Sequence, residues 1–369
     1  MANPAYSNIS SSNQTANESS INVFAITLHG LFSTIGIIEN LLILGVVGFH
    51  VRRSVISIWI LNLAASDLLA TASLPFFTLY MARGDTWTLG NTFCRIHSSM
   101  FFLNMFVSGF LLAAISLDRC LVVLRPVWAQ NYRTNQLVGR VCGLIWALAV
   151  LFTIPFYIFR GAITISKHKT LCYYKYSLPG EFSNPESLIQ QRKEALAFMR
   201  LFLAFLTPLG IIIFSYAAVT YRLARRGCRR SFRFVRLVVA VVVSFVLCWA
   251  PYHIIITIEV VTQKGQSAHA FAMKALPTAA TFGFLNSVLN PILYVFSCPD
   301  LCKKIRHSLG AVMESVLAED LAELSRRRST ARSINTTEIV LKQRTSISAL
   351  CYQGDESKQD ESLADQAEN

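Results

Sequence analysis

Apolar residues along the chain gather into seven long runs separated by short polar stretches, at 21–49, 55–81, 93–123, 137–159, 195–221, 237–261 and 271–296. Each run is long enough to cross ~30 Å of hydrocarbon as a helix, which takes about 20 apolar residues. The pattern therefore predicts an all-α fold, a seven-transmembrane-helix bundle filling residues 21–298. Residues 1–20 are polar and lack the basic start and apolar core of a cleavable leader, so the first run is expected to act as the insertion signal. After the seventh run, residues 299–317 form an amphipathic stretch with Lys303, Lys304 and Arg306, which predicts a short eighth helix on the membrane surface. Residues 318–369 are polar and mixed in charge, which predicts a disordered cytoplasmic regulatory tail.

Composition agrees with a membrane protein: 53% of residues are hydrophobic and only 15% are charged, too apolar a balance for a soluble chain of this length. The net charge of +13 is unevenly spread. Arg52, Arg53, Arg125, Arg133 and Arg140, the run from Arg222 to Arg236, and Lys303, Lys304 and Arg306 all fall on the side opposite the N-terminus. By the positive-inside rule those loops are cytoplasmic, next to anionic lipid. No nucleic-acid-reading module accompanies the charge, so nucleic acid is not an expected partner. The tail at 1–20 has no Lys or Arg and carries three acceptor sequons, at Asn8, Asn13 and Asn17, as expected of a glycosylated extracellular segment. Of nine cysteines, only Cys94 and Cys172 fall on the oxidising side, and they are expected to form a disulfide. Cys298 and Cys302, beside the basic stretch, are palmitoylation candidates.

Polar residues are costly inside a membrane, so those within the runs carry information. Asp67 lies twelve residues into the second run, ~18 Å along a helix and near mid-membrane. Asn104 with Ser108, and Asn286 with Asn290, are spaced i, i+4, and each pair presents one polar face. With Asp67 they suit either a monovalent cation such as sodium or hydrogen bonding between helices without an ion. Arg119 follows Cys94 by twenty-five residues, ~37 Å of helix, which places it with Asp118 at the cytoplasmic mouth of the third run. Pro208, Pro251 and Pro291 each remove a backbone hydrogen bond inside a later run and permit a kink.

These residues occur in a recognisable order. Asn40, Leu63-Ala64-Ala65-Ser66-Asp67, Asp118-Arg119-Cys120, Trp146, Pro208, Cys248-Trp249-Ala250-Pro251 and Asn290-Pro291-Ile292-Leu293-Tyr294 appear one per run. The constellation resembles the class A, rhodopsin-like G-protein-coupled receptors from residue 21 to about 310, with Cys120 replacing the family's usual Tyr. The resemblance implies an activation switch made of Asp118, Arg119, Trp249, Pro251, Asn290, Pro291 and Tyr294. Ser73-Leu74-Pro75-Phe76-Phe77-Thr78, the segments 101–106 and 125–131, and Ser297-Cys298-Pro299-Asp300 further resemble the chemoattractant-type prostaglandin D2 receptors. That branch implies an anionic lipid ligand, prostaglandin D2 or a metabolite, and inhibitory Gi-type proteins as partners. Receptors for formyl peptides or other eicosanoids are the alternative.

Within this frame the upper part of the bundle suits a lipid acid, which needs a cation for its carboxylate and apolar walls for its chain. Arg200 begins an uncharged run, Arg160 closes the fourth span, His97 lies one turn below Cys94, and Tyr173 and Tyr174 follow the loop cysteine. Phe101, Trp249 and Tyr252 supply aromatic walls. The resemblance places ligand contacts at Phe101, Arg160, Tyr174, Arg200 and Tyr252, with Arg200 where the family usually has Lys. A transporter is the rival of another class, but the two halves show no internal repeat. No metal-spaced cluster, phosphate loop or hydrolase motif points to an enzyme, and no cofactor is implied beyond the sodium ion. Ser329, Thr330 and Ser333, beside Arg326, Arg327 and Arg328, are expected targets of receptor kinases and thus of arrestin. The expected location is the plasma membrane, with the N-terminus extracellular and the C-terminus cytoplasmic.

Overall fold

The computed structural model describes residues 23–297 apart from 85, 168, 178–185, 226–230 and 263–264, with the backbone alone at 50, 231–239 and 294–297. The three sequons, Cys298 and Cys302, the stretch at 299–317 and the tail with Ser329, Thr330 and Ser333 lie outside the described residues, as does the Tyr294 side chain.

Seven helical rods run the length of the bundle. The spans are, in order, Val23–Gly45, Val55–Ala82, Asn91–Leu124, Asn135–Ile158, a fifth beginning at Glu186, Ser231–Val261 and Ser267–Ser297. The first six are long and apolar enough to cross a membrane by length and composition. The seventh is 31 residues long and carries Lys274, Asn286, Ser287 and Asn290 among its apolar residues; it packs along the sixth and against the first and second. Large apolar side chains such as Leu31, Ile38, Leu144, Phe214 and Leu247 face outward, while Asn40, Asp67, Ser108 and Asn290 are wholly buried. Hydrocarbon outside the bundle accepts the first set, and only neighbouring helices can satisfy the second.

The fifth span departs from the apolar run at 195–221. It continues from Glu186 to Arg225 as one rod of 40 residues. The first turns, Glu186–Arg200, rise above the apolar run because Gln190, Gln191, Arg192, Lys193 and Glu194 favour helix yet need water or partners. Below Arg200 the rod widens into a π-helical stretch, Leu201–Leu206, and Thr207 N–H then donates to the Phe202 carbonyl. Gly109 of the third span faces this stretch. A Cβ there would lie 3.0 Å from the Ala204 carbonyl oxygen, so any larger residue would make the two helices give by a few tenths of an ångström.

Two elements supplement the helices. Strands β1 (Arg160–Ser166) and β2 (Lys169–Tyr174) form an antiparallel hairpin over the outer end, pairing Arg160 with Tyr174 and Ala162 with Cys172. The Cys94–Cys172 disulfide, Cα atoms 5.6 Å apart, fastens the hairpin to the top of the third span as the sequence predicts. The Trp87 N–H donates to the Thr170 carbonyl at 2.7 Å and joins the first outer loop to the hairpin. On the opposite side a short helix, Pro126–Tyr132, starts on a proline in the first-turn position, where its missing N–H costs nothing.

Candidate functional site

The outer half of the bundle encloses a cavity of about 540 Å³, walled by the second, third, sixth and seventh spans and roofed by the hairpin. Phe77, Phe101, Ile256, Leu276 and Phe284 make most of its surface apolar, and its polar end lies under β1 and β2, where Arg160, Lys169, Tyr173 and Tyr174 line it. Tyr252 and His97 also line it, and the His97 ring N–H donates to the Ser73 carbonyl at 3.0 Å. A volume of this size lies within the roughly 300–1,000 Å³ usual for small-ligand sites.

Arg200 stands one layer behind this lining, 1% exposed. One terminal nitrogen donates to the Tyr174 and Tyr252 phenols, 3.2 Å each, while Nε has no partner. No carboxylate among the described residues pairs with it. Both phenol oxygens thus accept from the cation, and both phenols line the cavity, where an O–H can donate to a ligand. Arg160 lies with its guanidinium 4.6 Å over the Tyr174 ring and 5.8 Å from that of Tyr173. The structure therefore brings Arg160, Tyr173, Tyr174, Tyr252, Phe101 and His97 to the cavity. It sets Arg200 and Trp249, both expected as direct contacts, behind it.

Trp249 lies just below. Its ring is 5.9 Å from Phe101, and a Cβ at Gly283 of the seventh span would come within 3.0 Å of it. The missing side chain of Gly283 thus makes room for both Trp249 and Phe101. Pro251 and Pro291 lie within unbroken helices, as does Pro277.

A second polar cluster sits lower, around Asp67. One carboxylate oxygen accepts from Asn104 at 3.1 Å and Ser108 at 3.2 Å; the other accepts from Asn290 at 2.8 Å. Ser66 accepts from Asn104, and Ser287 donates to the Asn104 amide oxygen. The donors to Asp67, Asn104, Ser108 and Asn290, are all neutral, and the Asn290 amide oxygen, itself buried, has no partner. Asn286, grouped with these residues from its spacing, is buried but has no hydrogen bond to Asp67, and its amide nitrogen is unpartnered. A hard cation takes oxygen ligands. The carboxylate, the Ser108 hydroxyl and the free Asn290 oxygen supply three from three helices.

At the end of the third span away from the hairpin, Asp118 is paired with a residue the sequence did not single out for it. Arg133, just past the short helix, donates from Nε and a terminal nitrogen to both carboxylate oxygens at 2.7 Å. Arg119 instead lies by the Tyr216 phenol of the fifth span. Sequence reasoning also passed over Lys169, Ser287 and Gly283. The alternation of Ile163, Ile165 and Leu171 around a Lys-His-Lys turn was the available signal for the hairpin that delivers Lys169.

The family profile described as "7 transmembrane receptor (rhodopsin family)" matches residues 39–294, from just before Asn40 to Tyr294. The chain belongs to the rhodopsin family of seven-transmembrane receptors. Among its relatives this receptor is 51% identical over 313 residues to prostaglandin D2 receptor 2 of Mus musculus, covering 85% of this chain and 82% of the relative. To the protein of the same name from Rattus norvegicus it is 52% identical over 296 residues, 80% of this chain and 73% of the relative. N-formyl peptide receptor 2 of Homo sapiens is 33% identical over 316 residues, 84% and 89% of the two chains. The receptor is therefore a multi-pass membrane protein, and its span motifs from Asn40 to Tyr294 all fall within the matched residues.

Proposed function

We propose that this receptor recognises an anionic lipid mediator, prostaglandin D2 or a metabolite of it, in the outer cavity. It signals from the plasma membrane through Gi-type heterotrimeric G proteins, with its N-terminus outside. The observation that carries the reading is the unit of Arg200, Tyr174 and Tyr252, with Arg160 beside it, at one end of a mainly apolar cavity. A carboxylate placed there accepts from a phenol O–H and from Arg160, while the hydrocarbon chain lies along Phe101, Phe284 and Leu276. Arg200 acts on the anion at one remove: it holds both phenol oxygens and lends them its positive field. The identity to the two prostaglandin D2 receptors exceeds that to the formyl peptide receptor by nearly twenty percentage points, which favours a lipid over a peptide.

Agonist acts by binding the open form better than the closed form, which is the only way a ligand shifts such an equilibrium. The open form is one in which the sixth span swings about Pro251 and uncovers Arg119 to the G protein. The Asp67 cluster takes a sodium ion in the closed form, and the kinases and arrestin act on the tail.

The test is nucleotide exchange on Gi in cells expressing the receptor, measured across a panel of lipid acids and formylated peptides. Activation by prostaglandin D2 or a related acid at submicromolar concentration, with formyl peptides inert, is expected. Activation by peptides alone would overturn the reading.

A further inference from the structure

The cavity's polar end is held from outside by a group of residues that no span motif includes. Tyr176, two residues past β2, lies parallel to Tyr174 with ring centroids 5.2 Å apart and 11° between planes. The extended top of the fifth span grips Tyr176 in turn. Lys193 Nζ stands 5.8 Å over its ring, and an Arg192 terminal nitrogen donates to its carbonyl at 2.7 Å. Lys193 is itself tied to Glu259 of the sixth span at 3.5 Å, and Gln190 of the same turn donates to the Val260 carbonyl at 2.9 Å. Burial pushes the Tyr176 phenol well above its usual value, so the ring stays neutral.

We infer that Tyr176 and Lys193 are positioning residues: Lys193, anchored on the sixth span, presses the Tyr176 ring onto Tyr174 and so fixes where Tyr174 meets the ligand's anionic group. Three features carry this. Tyr174 has a ring or cation against it from Arg160, Tyr176 and Tyr173, so its phenol is held in place rather than free to swing. Lys193 touches the stack without lining the cavity, so it contributes nothing by direct contact with the ligand. The clamp also spans the fifth and sixth helices, so the grip on the anion depends on how the outer ends of these two helices sit together.

The inference rests on the proposed reading of the cavity as an anion site, and the experiment separates the two. Affinity for a lipid carboxylate agonist and for its neutral methyl ester is measured on intact cells with surface expression checked. Tyr176→Leu should weaken the acid about five-fold and leave the ester nearly unchanged, as expected for loss of one aromatic stack. Tyr176→Phe should bind both as the parent does. Lys193→Met should weaken the acid about two-fold, and Lys193→Arg should restore it. In a Tyr174→Ala background neither change should cost anything more, because the residue they position is gone. If Tyr174→Ala weakens the acid but Tyr176→Leu weakens it further by the same factor in that background, the positioning role is overturned and the anion site stands. If Tyr174→Ala leaves acid and ester alike, the anion site falls and the inference falls with it.

Discussion

The receptor buries two charges of opposite sign in its bundle, and it treats them differently. Arg200 in the outer half and Asp67 near mid-membrane are each almost fully buried, and each has only neutral partners. Around Asp67 the side-chain amides and hydroxyl of the third and seventh spans converge on both carboxylate oxygens. Arg200 reaches two phenols through one nitrogen, and those phenols line a cavity of about 540 Å³. A buried charge without a counter-charge is expensive unless something compensates it. The space beside each indicates what that is. The tight oxygen-lined cluster suits a small bare cation, and the roomy aromatic cavity suits an organic anion with a long apolar body.

The largest effect that can break this contrast is at Arg200. A hydrogen bond to a charged group contributes roughly 1.5–3 kcal/mol, about ten- to hundredfold in affinity. Arg200→Ala should weaken a carboxylate agonist by about that factor, with surface expression normal and the neutral ester almost indifferent. Arg200→Lys, which keeps the charge but can reach the two phenols only as a point donor, should do far less harm. Equal losses for acid and ester would mean that Arg200 supports the packing of Tyr174 and Tyr252 rather than the anion.

A smaller effect is expected at the other charge. If Asp67 holds sodium in the closed form, agonist affinity should fall about five-fold when sodium replaces a bulky organic cation at fixed ionic strength, within the usual range of coupling between two sites. Asp67→Asn should abolish that dependence, whereas Arg200→Ala should leave the ratio intact while lowering affinity in both salts. Persistence of the sodium effect in Asp67→Asn would assign the cluster to hydrogen bonding between helices alone.

What the sequence disclosed of these two regions follows from the range over which each acts. The bundle was legible because hydrocarbon imposes one rule on every span, and the mid-membrane cluster because i, i+4 spacing on a helix already puts Asn104 and Ser108 on one face. The span-five extension was not, since hydropathy ends at Ala195 while the helix continues through Gln190–Glu194 on propensity and on partners such as Glu259 and Tyr176. Nor was the depth of Arg200. The run places it at the top of the cavity, and only the tertiary packing of Tyr174 from the hairpin against Tyr252 from the sixth span puts it behind the wall. Arg133 was hidden for another reason: Asp118 has a cation next to it in sequence, but adjacent residues on a helix do not face each other, and the partner arrives from a turn fifteen residues on.

Asp118 is the paired counterpart to the two unpaired charges, and it should give the smallest effect. Its bridge to Arg133 is bidentate, which makes it stronger than a single contact, but the two side chains keep 11% and 21% of their surface open to solvent. Exposed pairs contribute about 0.2–1 kcal/mol, and bidentate geometry places this one toward the upper end. Breaking it loosens the loop that carries Arg133 from the base of the third span, where the proposed activation frees Arg119 for the G protein. Arg133→Ala should therefore raise agonist-independent nucleotide exchange on Gi by about two- to five-fold, while Arg133→Lys, unable to make the fork, should raise it by less. Agonist affinity for acid and ester should shift together and only slightly, because the bridge lies far from the cavity. Basal exchange that is unchanged in Arg133→Ala but raised in Asp118→Asn would show that the carboxylate acts through Arg119 and not through this loop.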